Sequence, residues 1–110
     1  MPEPTIQEVF GPGTSQDAAN FIIKKSDLAN AGLTISASSR AEAILIAILI
    51  NASTALSEIA RSQDLVNRNV TVQYGGQDLV EQSGGNYRRD VYSVLAYKQT
   101  TLQTVDPDDY

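Results

Sequence analysis

The chain has 110 residues, 42% of them hydrophobic, with no Cys, His or Trp and with 13 acidic against 8 basic side chains. That length holds one domain at most, and the missing His and Cys exclude Ser-His and Cys-His catalysis, zinc sites of the usual ligands, His-ligated haem, disulfides and thiol redox chemistry. A net charge of −5 argues against binding nucleic acid through its phosphates, which takes a basic face.

Met1-Pro2-Glu3-Pro4 is acidic and proline-broken where a secretory leader is basic and then apolar, so no signal peptide is expected. Residues 1–17 are expected to form an extended arm, because Pro2, Pro4 and Pro12 disfavour regular helix and Gly11-Pro12-Gly13 reads as a turn. Its apolar residues, Ile6, Val9 and Phe10, suit a short strand docked on the domain or on a neighbouring subunit. The β-branched and aromatic run Asn20 to Lys25, closed by Ser26-Asp27, predicts a strand, and Leu28 to Ala37 a connection bent at Gly32.

Ser39-Arg40-Ala41-Glu42 has the S-x-x-E pattern of a capping box. From Ala41 to about Arg61 there is no Gly or Pro and Ala and Leu are frequent, predicting one uninterrupted helix. Leu45, Leu49, Ala52, Leu56 and Ile59 recur at helical spacing and are expected to form its core face. The run Ala43 to Ile50 is too short to span a bilayer, which takes about 20 residues, and is expected in a protein core. Its apolar surface exceeds one stripe. Ile46 and Ile50 project away from the others and need cover from the arm or from another subunit.

Val70 to Tyr74 alternates apolar and polar, which predicts a half-buried strand ended by Gly75-Gly76. Leu79-Val80 suits a short strand, Ser83-Gly84-Gly85-Asn86 a reversal, and Tyr87 to about Gln99 a long final strand. The end, Val105 to Tyr110, carries Asp106, Asp108 and Asp109 and reads as an acidic tail. The expected architecture is α+β: one long helix packed on a small, mainly antiparallel sheet, with an extended arm (1–17), a single domain (18–103) and the tail (104–110).

Motif chemistry is sparse. The glycine pairs lack the spacing of a phosphate loop and are taken as turns. Pro107 and the chain end leave nothing to complete a cation cage around the terminal aspartates. Glu42 serves as a cap, and Glu58, Asp64, Asp78, Glu81 and Asp90 fall on predicted surfaces or loops, with nothing to force two of them into an acid–base pair. Tyr87-Arg88-Arg89 is the basic, aromatic cluster, but strand alternation sends the two arginines to opposite faces. An interface salt bridge is preferred, with Arg88 or Arg89 meeting the acidic tail of a neighbouring subunit. No enzyme, cofactor, metal, small-molecule substrate, nucleic acid or membrane is expected.

Gly32-Leu33-Thr34, the run Ala41 to Leu49, the Tyr-rich last strand from Tyr87 and the ending Asp106-Pro107-Asp108-Asp109-Tyr110 resemble short structural proteins encoded in virion gene clusters of tailed bacteriophages and prophages. The resemblance runs chiefly from Gly32 onward. It implies a homo-oligomeric virion component, assembled in the host cytoplasm, that docks on other virion proteins through its termini. The tail apparatus (fibre, baseplate or neck) is the first expectation, with capsid decoration or a small cellular binding or regulatory module as alternatives. The residues expected at interfaces are Ile46, Ile50, Ile6, Val9, Phe10, Arg88, Arg89, Asp106, Asp108, Asp109 and Tyr110.

Overall fold

A computed structural model describes residues 3–99 and 107–109. The N-terminal segment opens with a short helix, α1 (Ile6–Phe10), and not with the expected strand. The prolines explain the correction: Pro4 precedes the cap and Pro12 follows the last turn, so five helical residues fit between them. Thr5 caps the turn by accepting the Glu8 amide at 3.1 Å.

A two-residue ladder joins β1 (Ser15–Gln16) to β2 (Phe21–Ile22), shorter than the run Asn20 to Lys25 suggested. The chain then makes α2 (Lys25–Leu28) and a 3-10 turn (Ala29–Ala31) that ends at Gly32. Asp27 fixes this region to the N-terminal turn by accepting the Gly13 amide at 2.8 Å, while its carbonyl accepts from Asn51 at 3.1 Å.

The central helix, α3, runs Ala41–Ala55. Its expected capping box is absent: Arg40 is the cap residue and bonds no helical amide, while the Ser39 hydroxyl donates to the Ser36 carbonyl. The serine cluster prefers its own turn, since short hydroxyl side chains bond nearby backbone as readily as they cap. Nor is the helix uninterrupted. It breaks at Leu56, whose carbonyl accepts the Val72 amide at 2.9 Å, and restarts as α4 (Glu58–Ser62) with Ser57 capping through the Ala60 amide.

One long ribbon completes the fold: β3 (Val70–Gln82) antiparallel to β4 (Gly85–Ala96). Gly75-Gly76 does not end the first strand but bulges it, with Tyr74 opposite Tyr92 and Gly76 opposite Val91. The single strand therefore absorbs the predicted short strand at Leu79-Val80. The reversal is a two-residue turn at Ser83-Gly84, both at positive φ (51° and 80°), which matches the right-handed twist of a hairpin.

The architecture is α+β, but its core is small. Val9, Ala52 and Val72 meet at the root of the ribbon, with Phe10, Leu49, Leu56 and Tyr92 packed against them. Beside this junction Arg68 is buried, donating to the Ala55 carbonyl at the end of α3 and lying 3.6 Å from Glu8. From the junction the ribbon and the first half of α3 extend outward. The Cα radius of gyration is 18.3 Å, against roughly 13 Å for a compact chain of this length.

Candidate assembly surface

The first half of α3 was expected in a core, and that expectation is corrected. Between Ala41 and Ile50 only Ala47 is buried, while Leu45 and Ile46 are 55% and 45% exposed. The predicted core stripe divides in the same way. Ala52 is buried and Leu49 and Leu56 are half-buried, but Leu45 and Ile59 face outward. α1 and the ribbon root meet the helix around Ala52, and α2 with the following 3-10 turn packs on it as well, tied through Asn51.

Ala41–Ser62 has a mean hydropathy of 1.9 in its most apolar window, and only 11% of that window is buried. By length and composition these 22 residues pass for a membrane span. The break at Leu56-Ser57 cuts the uninterrupted helix to 15 residues, about 22 Å at 1.5 Å each, short of a hydrocarbon core of about 30 Å. Polar ties before and at the break also bind it to the fold: Asn51 to the Asp27 carbonyl and Leu56 to Val72.

Ile46 and Ile50 line one side of an apolar groove of about 600 Å³ with Ala43 and Ala47, facing Gly32 and Leu33 across it. The far wall stands because its backbone is satisfied locally, with Lys25 Nζ donating to the Ser36 carbonyl and the Leu33 amide to the Leu28 carbonyl. No described residue of the N-terminal segment lines this groove. Of the two covers expected for Ile46 and Ile50, residues 3–17 of the arm are therefore not the one the fold uses. Instead Val9 is buried in the chain's own core, Phe10 meets Phe21 edge-on at 5.0 Å and Ile6 is half-buried.

The ribbon is the second uncovered region. Register places Val70, Val72, Tyr74, Leu79, Tyr92 and Val94 on one face and Val80, Tyr87, Val91 and Leu95 on the other. Among the described residues neither face is covered beyond the root, where Leu79 is 79% and Tyr87 55% exposed, and Val94, opposite Val72 at the root itself, is 58% exposed. The arginines do split across the faces as alternation requires, but both find partners within the ribbon. Arg89 grips Asp78 through two bonds of 2.9 and 2.5 Å, and Arg88 lies 3.4 Å from Asp90. The Arg89 guanidinium holds the Asp78 carboxyl below the usual carboxylate range, and the carboxylate raises Arg89 in turn. On the other face the Tyr74 hydroxyl donates to Asp90 at 2.8 Å, which raises its pKa.

The proposed pairing of Arg88 or Arg89 with an acidic tail therefore competes with contacts already made. Asp108 is exposed in a 3-10 turn, Pro107–Asp109, and of Asp109 only the backbone is described. Asp106 and Tyr110 lie outside the described residues.

Sequence reasoning missed Arg68. Its signal was faint: a lone cation in Asp64-Leu65-Val66-Asn67-Arg68, within reach of the carbonyls that end a helix. Among the described residues no group of three or more Asp, Glu, His or Cys side chains converges as a cation site. Comparison with protein-family models, curated proteins and solved structures returned no match.

Proposed function

We propose that this chain is a non-enzymatic structural subunit that completes its packing by self-association, in the virion of a tailed bacteriophage. One observation carries the self-association: the most apolar helix in the chain is 11% buried over its apolar window. Burying an isoleucine side chain contributes about 2 kcal/mol, so the exposed Leu45 and Ile46 and the half-buried Ile50 favour a state in which another surface covers them. The position within a virion rests on the resemblance from Gly32 onward, which favours the tail apparatus over capsid decoration.

Light scattering of the full chain during size-exclusion chromatography tests the first part. The expected result is an oligomer whose mass falls when Ile46 and Ile50 are both replaced by serine, with the circular dichroism spectrum unchanged. A folded monomer at every concentration overturns self-association and leaves the groove to a different protein, as in a small cellular binding module. For the second part, mass spectrometry of purified particles from a host carrying the gene is expected to find the chain at a fixed ratio to the tail proteins. Its absence from mature particles overturns the virion assignment.

A further inference from the structure

The two edges of the ribbon differ. The root of β3 is closed by the Leu56 carbonyl, and farther along the strand is interrupted by its bulge. The outer edge of β4 runs from Asn86 to Ala96 with no Pro, no Gly and no bulge, and among the described residues no third strand pairs with it. Long, regular, uncovered edges are templates for pairing with another strand. Among the described residues the ribbon is two strands wide and packs on helices at its root, and a two-stranded hairpin beyond such packing is marginal in water.

Hydrogen-bond direction along this edge follows from the register. The Val72 amide points out of the ribbon, toward Leu56. Val94 lies opposite Val72 and therefore also directs its amide and carbonyl outward, as do Asn86, Arg88, Asp90, Tyr92 and Ala96. An incoming antiparallel strand bonds these residues.

We propose that a second copy of this chain supplies that strand, β4 pairing with β4 about a two-fold axis at Val91 to make a four-stranded sheet. The proposal rests on the self-association reading and specifies one of its interfaces. What points to a second copy is that the edge is complementary to itself. With Val91 on the axis the whole edge from Asn86 to Ala96 is used, and each outward-pointing residue meets another. Tyr87 then lies opposite Leu95 of the partner subunit, twice by symmetry, and Val91 opposite its equivalent. These side chains are 55%, 40% and 40% exposed in the single chain and share one face. Aromatic and aliphatic side chains directly opposite each other stabilise sheets.

Charge selects the same register. Arg88 falls opposite Val94, Arg89 opposite Ser93 and Asp90 opposite Tyr92, so no like charges meet. Sliding one pair toward the turn sets Asp90 against its own equivalent, which is unfavourable; a further pair sets Arg89 against Arg89 and, although Arg88 then meets Asp90, cuts the overlap to residues 86–92. Sliding the other way shortens the overlap.

The chain has no cysteine, so Val91→Cys introduces a single thiol. Residues facing each other in a non-hydrogen-bonded antiparallel pair have Cα atoms about 4.5 Å apart, within disulfide reach. Two Ser93 residues across the same axis are four residues out of step, about 14 Å. Under mild oxidation Val91→Cys is expected to become mostly covalent dimer while Ser93→Cys does not. In the unmodified protein the outward amides of Arg88, Asp90, Tyr92 and Val94 are expected to exchange with deuterium at least about tenfold more slowly in the assembled than in the diluted state. An oligomer in which these amides gain no protection, or in which Ser93→Cys cross-links as well as Val91→Cys, overturns the β4 pairing and leaves self-association standing. A monomer by light scattering overturns both.

Discussion

At the junction of α1, α3 and the ribbon root, Val9, Ala52 and Val72 are 7%, 5% and 5% exposed, whereas Ile46 on the same helix is 45% exposed and Leu79 on the same strand 79%. Hydrophobicity does not separate the two regions. The junction combines a small residue, Ala52, which lets neighbouring backbone approach, with backbone groups that change partners: the Leu56 carbonyl leaves the helix ladder for Val72. Where no element is tethered in this way, larger apolar side chains stay uncovered. A chain of this length has enough apolar residues for more packing than its own elements supply, and the surplus lies on one half-helix and one ribbon.

Substitutions on the two sides are expected to separate cleanly. Leu28, packed where α2 meets α3, is 2% exposed, and Leu28→Ala is expected to cost about 3 kcal/mol through lost burial and the cavity left behind. Denaturant unfolding measures this, and a cost below 1 kcal/mol (about the ordinary effect of a point substitution) breaks the comparison at its firmest point. Arg68→Ala ranks next, at about 2 kcal/mol, because it removes charge-assisted bonds from a buried site. The side chain is 7% exposed and ties the end of α3 to α1 through Ala55 and Glu8. Arg68→Lys is expected to recover only part of the loss, since one ammonium does not reproduce the forked geometry.

Leu79→Thr sharpens the other side. The substitution keeps a strand-compatible residue and removes exposed apolar surface, so unfolding free energy measured at dilution is expected to shift by less than about 0.5 kcal/mol. A larger loss means that something within the chain covers Leu79.

The α+β class, the reversal at Ser83-Gly84 and the strands beginning at Val70 and near Tyr87 were legible, because alternation and turn chemistry act locally, whereas the strand expected from Ile6, Val9 and Phe10 is a helix and Gly75-Gly76 bulges the strand it was expected to end. The apolar surplus of the helix was legible too. Its coverage was not, since that depends on where α1 and the ribbon root arrive, and nothing local to Ile46 records it. The break at Leu56 was missed because a run without Gly or Pro reads as continuous helix. Ser57-Glu58, a capping hydroxyl followed by a first-turn acid, was the available signal. The capping box failed for the converse reason: the Ser36 carbonyl offered the Ser39 hydroxyl a nearer partner. For the assembly surface, the sequence could nominate Ile46, Ile50 and the Tyr-rich last strand with Arg88 and Arg89, but not the pairing register of the β4 edge, which emerges only once the ladder shows which backbone groups point outward.

The gentlest probe of the contrast is acid. Asp78 and Arg89 bridge the two strands of the distal ribbon, and the bonded guanidinium holds the carboxyl below its ordinary value of 3.8. A carboxyl depressed in the folded state contributes stability above its unfolded pKa and loses it as pH falls through the folded pKa. Acidification to below about pH 4 is therefore expected to loosen the distal ribbon first. The buried side chains of the junction, Val9, Ala52 and Val72, carry no titratable group, and the acid paired beside them, Glu8, is about half-exposed at 3.6 Å from Arg68, so the junction is expected to stay closed at the same pH. Both partners are solvent-exposed, so added salt weakens the pair near neutral pH as well. Residue-resolved amide exchange across a pH series checks the order of events: faster exchange near Asp78 and Arg89 before any change near Val72 supports the division, and simultaneous opening shows that ribbon and junction form one cooperative unit.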